Sequence, residues 1–282
     1  MYGENMLFRE LGRTGKKIAA IGLGSWGMGG WHTPDYSRDR EFVELIQRAI
    51  EMGITHIDSA EMYGSGHAEE LIGKAIRGFE RDSLFLVTKV LPSNLEPNRL
   101  LNSLKGSLQR LSTDYIDLYL IHWHTPGAPL KEALETMSWA VEEGLIRYVG
   151  VSNFSPTLMK EAMRLSPTPI VNNQVLYNIA DRGVEKEGLL EVCHKEGVTL
   201  TAYSPVKPLA EGTLSPRLKD ILEEVSGQHG ATPYQIAIAW LLSKEGVVTI
   251  PKVSSVEHLR ENLEALSLRL KPEEIRALDE AG

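Results

Sequence analysis

Residues 51–58, Glu51-Met52-Gly53-Ile54-Thr55-His56-Ile57-Asp58, hold the pattern from which the fold can be read. An amphipathic, acid-rich segment stops at Gly53 and an apolar run follows at once. Glycine just past a helix takes the left-handed conformation that closes the last turn, so the junction reads as helix, cap and strand. The same junction recurs at Gly144 (Glu142-Glu143-Gly144-Leu145-Ile146), Gly197 (Lys195-Glu196-Gly197-Val198-Thr199) and Gly246 (Lys244-Glu245-Gly246-Val247-Val248). Upstream, Phe42, Leu45, Ile46, Ala49 and Ile50 share one helical face, as do Leu130, Ala133, Leu134, Met137 and Val141.

Strand-like runs begin near Ile18, Ile54, Leu84, Tyr115, Arg147, Pro169, Val198 and Val247, with helical spacing between them. Alternating strand and helix gives a parallel sheet with right-handed crossovers. Continuously apolar runs such as Leu84–Val87 and Ile116–Ile121 suit strands buried on both faces. Eight such units predict an α/β fold, a (β/α)8 TIM barrel over residues 1–282 as one domain. Leu7-Phe8-Arg9 and Lys17-Ile18 flank Gly12-Arg13-Thr14-Gly15 and predict an N-terminal β-hairpin cap. Extra helices are expected near the C-terminus, around Leu218–Val225 beside the one at Tyr234–Leu242.

The 282 residues carry 30 Lys+Arg against 38 Asp+Glu, a net charge of −8, which is the wrong sign for a nucleic-acid partner. With 42% hydrophobic and 24% charged residues the composition is that of a globular protein. A single cysteine, Cys193, excludes an intrachain disulfide, and no apolar run is long enough for a membrane span. The N-terminus, with Glu4 and Arg9 around a short apolar stretch, lacks a signal-peptide core, so the expected compartment is the cytoplasm.

Barrel active sites lie at the C-terminal ends of the strands. Those ends read Ser25-Trp26, Asp58, Lys89, His122, Ser152-Asn153, Asn172 to Gln174, Tyr203-Ser204 and Lys252. Loop polarity alone explains any one of them. A lysine, an aspartate, a tyrosine and a histidine on neighbouring strands is a stronger pattern. Lys89, just past a buried run, needs a paired charge, and Asp58 on the adjacent strand is its natural partner. Lys89 would favour the phenolate of Tyr63 and lower its pKa, making Tyr63 a usable general acid. The structural alternative is an ion pair beside an incidental loop tyrosine.

His122-Trp123-His124 invites a metal reading, but no further His/Asp/Glu cluster appears at the other strand ends to complete a ligand set. A neutral His122 hydrogen-bonding a substrate oxygen fits better, and no metal is expected. Gly22-Leu23-Gly24-Ser25-Trp26-Gly27 matches the dinucleotide fingerprint G-x-G-x-x-G, yet Met28 to Pro34 is full of helix breakers and the first helix waits until about Asp39. It reads as the loop of the first strand, with Trp26 and Trp31 as pocket walls.

These residues resemble the aldo-keto reductases over nearly the whole chain: Leu11 to Gly15, Asp58 to Gly66, Gly150-Val151-Ser152-Asn153-Phe154, Ala202-Tyr203-Ser204-Pro205, and Ile250-Pro251-Lys252 with Glu261-Asn262. The resemblance implies an oxidoreductase that binds NADP(H) without a Rossmann fold, with NAD(H) as a second cofactor, and reduces aldehydes and ketones by hydride transfer. It implies a catalytic tetrad of Asp58, Tyr63, Lys89 and His122. Ser152, Asn153 and Gln174 would hold the nicotinamide carboxamide and Tyr203 would stack on the ring. Ser204, with neighbouring Pro205 and Val206, would meet the pyrophosphate, and Ser25 and Trp26 would also lie against the cofactor. Lys252, Val253, Ser254, His258, Glu261 and Asn262 would serve the adenosine end. Substrate would sit among Trp26, Trp31, Tyr63, His122 and Trp123. Val253 stands where the family often has Ser or Thr, and His258 where it often has Arg, which predicts a weakened preference for the 2′-phosphate. The chain also stops soon after a helix opened by Pro272, which predicts an open pocket without a C-terminal tail.

Two readings compete. One is a metal-dependent barrel hydrolase using His122 and His124. The other is a non-catalytic NADP-binding redox sensor or regulatory subunit. The expected partner is a small carbonyl substrate, with no nucleic acid and no membrane, and the expected state is a monomer or weak oligomer.

Overall fold

The computed structural model describes residues 6–282, so Glu4 of the signal-peptide argument lies outside the described residues. Strands β1 (Phe8–Glu10) and β2 (Lys17–Ala19) form the antiparallel hairpin, with Arg9 opposite Ile18. Eight parallel strands follow in chain order: β3 (Leu23–Gly24), β4 (His56–Asp58), β5 (Phe85–Val90), β6 (Ile116–Ile121), β7 (Ile146–Ser152), β8 (Ile170–Leu176), β9 (Thr199–Tyr203) and β10 (Val247–Thr249). The seam between the first and last is closed by parallel bridges, Ile21 with Thr249 and Gly24 with Lys252. Gly22 N–H donates to the Thr249 carbonyl at 2.8 Å, and Thr249 N–H to the Ala20 carbonyl at 2.8 Å. The result is a (β/α)8 barrel.

One strand assignment needs correction. The run that begins near Ile18 belongs to the hairpin at its start, and the first barrel strand begins only at Leu23. Ile18, Ala19, Ala20, Ile21 and Leu23 are all buried, so one apolar stretch serves two sheets without a change in composition.

β5 and β6 are buried at every position, as strands covered on both faces must be. The helix before β4 spans Asp39–Glu51, and its buried residues are the five whose spacing predicts them: Phe42, Leu45, Ile46, Ala49 and Ile50. Gly53 follows with φ of 97°, the left-handed conformation that the helix end requires. At Gly246 the helix has already ended at Leu242, and a short turn separates it from β10. The extra helices span Pro216–His229 and Pro233–Leu242, the latter opened by a capping box between Thr232 and Gln235. The final helix, Pro272–Ala281, is docked where Trp240 Nε1–H donates to Asp279 at 2.8 Å and Glu274 pairs with His229 at 2.9 Å. Among the described residues no helix is long and apolar enough to cross a membrane.

Candidate active site

Each strand carries a side chain from the packed interior to the barrel mouth and stops there, where the backbone gives way to loop. Asp58 ends β4, Lys89 lies one residue before the end of β5, and His122 follows β6 directly. Tyr63 enters from the short 3-10 turn Tyr63–Gly66 after β4, where Gly64 and Gly66 take positive φ. Lys89 is fully buried, and its Nζ donates to Asp58 Oδ1 at 2.6 Å, to the Ser59 carbonyl at 2.6 Å and to the Tyr63 hydroxyl at 3.3 Å. Gln174 Nε2–H donates to the other Asp58 oxygen at 2.7 Å. The carboxylate is therefore held on both oxygens, and the ammonium has three oxygen partners.

This electrostatic arrangement determines the protonation states. Burial alone would depress Lys89, but Asp58 and Tyr63 outweigh it and hold the ammonium above its ordinary value. The expected lowering of Tyr63 does not hold in the free protein. Burial raises the phenol first, Asp58 adds to that, and Lys89 only offsets part of it. Tyr63 thus rests as the protonated phenol. His122 is pushed down to about 3, by burial and then by the Lys89 charge, so its imidazole is neutral. Its ring stands 5.8 Å from the Tyr63 ring between centroids, and its Nδ1 is buried without a hydrogen-bond partner among the described residues.

A second network binds the next three strands. Ser152 Oγ donates to the Gln174 carbonyl at 2.8 Å, Asn153 Nδ2–H to the His122 carbonyl at 3.0 Å, and the Tyr203 hydroxyl to Asn153 Oδ1 at 2.9 Å. Asn153 and Ser204 hold positive φ, of 61° and 55°, which turns the chain sharply out of β7 and β9. Beyond β10, the Ser254 hydroxyl meets His258 Nδ1 at 3.1 Å at the start of the helix Val256–Glu264.

All of this opens on one cavity of about 960 Å³, at the upper end for small-molecule sites. Asp58, Tyr63 and His122 line it, with Trp26, Trp31, Ser152, Asn153, Gln174, Tyr203, Ser204, Pro205, Val206, Lys252, Val253, Ser254, His258, Glu261 and Asn262. Three expected site residues, Ser25, Trp123 and Lys89, are absent from its lining. Ser25 is fully buried and its hydroxyl donates to Ser59 at 3.0 Å. Trp123 packs against the His122 ring at 4.8 Å, outside the lining. Lys89 acts from beneath, through Tyr63. His124 lies 6.2 Å from the Phe154 ring, and among the described residues no group of three or more His, Cys, Asp and Glu is placed to hold a metal. Lys207, Ala210 and Glu211 in the wall belong to the segment Lys207 to Gly212, which the sequence marks as a pocket-shaping loop after β9, whereas sequence reasoning gave no role to Met62 and Tyr234. Met62 directly precedes Tyr63, and Tyr234 comes from the helix Pro233–Leu242, for which no strand exit gives a signal.

The residues at the far end of the cavity fit a phosphorylated nucleotide: a lysine, a serine hydroxyl, a histidine and a buried asparagine share one wall. Fold and site together define a barrel oxidoreductase. The model of the Aldo/keto reductase family matches residues 20–282, and the chain belongs to that family. It is 58% identical to a thermostable aldo-keto reductase, Tm1743, solved with the inhibitor epalrestat, with a TM-score of 0.95 over 98% of this chain and 100% of that one. An aldo/keto reductase from Klebsiella pneumoniae, solved with NADP and acetate, is 38% identical with a TM-score of 0.84, over 94% of this chain and 91% of that one. Methylglyoxal reductase YeaE of Escherichia coli (strain K12) is 36% identical over 268 residues, which are 94% of this chain and 91% of that protein.

Proposed function

We propose that this protein reduces small aldehydes and ketones to alcohols with NADP(H), Tyr63 giving the proton. The observation that carries the reading is the Lys89 ammonium, fully buried, paired with Asp58 and 3.3 Å from the Tyr63 hydroxyl. The Klebsiella relative solved with NADP supports the choice of cofactor.

When bound, the nicotinamide supplies the hydride that reaches the carbonyl carbon. Tyr63 receives the carbonyl oxygen and donates its phenolic proton to it as the alkoxide develops. A phenolate is left behind, and Lys89 stabilises it. Asp58 keeps Lys89 charged for that task, and Gln174 holds Asp58 in place. His122, neutral across the physiological range, can hydrogen-bond the same oxygen without adding a charge to the pocket. Trp26, packed 4.7 Å from the Tyr63 ring between centroids, presents an apolar wall that excludes water from the donor. At the nucleotide end Lys252 offers the cation for the 2′-phosphate. Val253 adds no side-chain donor there, and His258 lacks the planar, two-pronged grip of an arginine, so the preference for NADP(H) over NAD(H) is reduced.

The test is NADPH oxidation against a panel of aldehydes, ketones and quinones, with Tyr63→Phe as control. The variant should lose on the order of 10²–10⁴ in turnover while its NADPH affinity stays within a few-fold. Near-native turnover would overturn the role of Tyr63.

A further inference from the structure

The segment from Trp26 to Asp35 is fastened at two ends of the cavity. Gly64 N–H donates to the Trp31 carbonyl at 2.9 Å and the Ser65 hydroxyl to the His32 carbonyl at 2.7 Å, which ties the segment to the turn that carries Tyr63. The Trp31 side chain reaches the other way. Its ring meets Trp26 edge-on at 5.1 Å between centroids, and Lys252 Nζ lies 4.5 Å from its centroid. Gly27 makes room for that meeting. A β-carbon there would stand 2.9 Å from Lys252 Nζ and 3.1 Å from two carbons of the Trp31 ring. Trp31 is 53% exposed, so core packing does not account for the position of the ring, whereas the attraction of an ammonium for an indole face does.

We propose that Trp31 is a positioning residue for a nucleotide carrying a 2′-phosphate: it holds the Lys252 ammonium against its ring and so presets the cation that receives the phosphate. The proposal rests on the reading of Lys252 as the partner of that phosphate. A lysine free in solvent surrenders the mobility of a four-carbon stem when it engages an anion. One already stacked on an aromatic face has surrendered much of it beforehand, and the binding is tighter for that reason. Because Trp31 also touches Trp26, which touches Tyr63, the ring sets the nucleotide end and the wall beside the proton donor from one place. Replacing the ring with leucine removes the quadrupole together with some bulk, whereas phenylalanine, also smaller than tryptophan, keeps an aromatic face.

The experiment is calorimetric titration of the full chain with adenosine 2′,5′-bisphosphate and, separately, adenosine 5′-monophosphate. It compares wild type, Trp31→Leu, Trp31→Phe and Lys252→Ala, with melting temperatures recorded to verify folding. Trp31→Leu is expected to weaken the bisphosphate by about two- to fivefold and leave the monophosphate unchanged, while Trp31→Phe stays close to wild type. Lys252→Ala should weaken the bisphosphate further. If Trp31→Leu weakens both nucleotides equally, the ring acts only as packing and the proposal is wrong. If it changes neither while Lys252→Ala weakens the bisphosphate, the proposal fails and the reading of Lys252 stands. If Lys252→Ala has no effect on the bisphosphate, the reading beneath the proposal fails and takes the proposal with it.

Discussion

Lys89 and Asp58 form the charged pair on which the site turns, and both are buried to within a few per cent. Removing one member of a buried pair strands the other. Lys89→Met preserves the stem but leaves the buried Asp58 carboxyl without its cation, which should cost about 3–5 kcal/mol of stability in urea unfolding. Adding Asp58→Asn should recover most of that loss without restoring turnover. His122 supplies a pH signature. Its folded-state value of about 3 lies below the ordinary 6.5, so between those values the unfolded chain takes up a proton that the folded chain refuses. Its contribution is complete above pH 6.5 and declines as pH falls toward 3. His122→Asn should therefore flatten the pH dependence of unfolding free energy in that window, and an unchanged profile would place the origin elsewhere.

Asp58, Lys89 and His122 were legible because each stands where an apolar run ends abruptly in a polar group, and Tyr63 because it follows Asp58 into a glycine-rich turn. Ser25 and Trp123 also stand at strand exits yet are absent from the cavity lining, Ser25 bonded to Ser59 and Trp123 packed on His122, since the end of a strand fixes where a residue is and not what its side chain meets. The resting state of Tyr63 was not legible either. The sequence displays the lysine that lowers its pKa but not the burial that outweighs it.

At the level of the element, periodicity identified helices well and short strands poorly. Asp39–Glu51 starts where the breakers end, and its buried face is the one its spacing dictates. β3, in contrast, is two residues long, and no two-residue pattern can be distinguished from its surroundings. The helix His67–Ala75 shows a limit of local propensity. Gly73 sits in its interior, where alanine would ordinarily add about 1 kcal/mol of helix stability. A β-carbon there would stand 2.3 Å from the Arg110 carbonyl oxygen on the neighbouring helix, Pro97–Leu111. Gly73→Ala should therefore destabilise the protein, by roughly 1–3 kcal/mol in urea, because the helices must separate. A stabilised variant would mean that the two backbones can part without loss.

Across the whole molecule, the site exists only because the barrel closes. Asp58 and Gln174 share a hydrogen bond across 116 positions of sequence, and the seam that joins the ends of the sheet pairs Ile21 with Thr249 and Gly24 with Lys252. Neither half of the chain contains both partners of any of these contacts. The closed seam therefore has a consequence in time as well as in space. Helices such as Asp39–Glu51 need only near neighbours to form, whereas the tetrad and its Gln174 support wait for the slowest, most distant pairings of the chain. In refolding from urea, far-ultraviolet ellipticity should return well before NADPH-dependent turnover, and the delay should lengthen in Gly24→Val, whose added β-carbon would stand 2.7 Å from the Ile250 carbonyl oxygen across the seam. Recovery of both signals at one rate would mean that the ring closes as early as its helices form. Activity in this protein is a late clock, started by the first helix and stopped by the last strand.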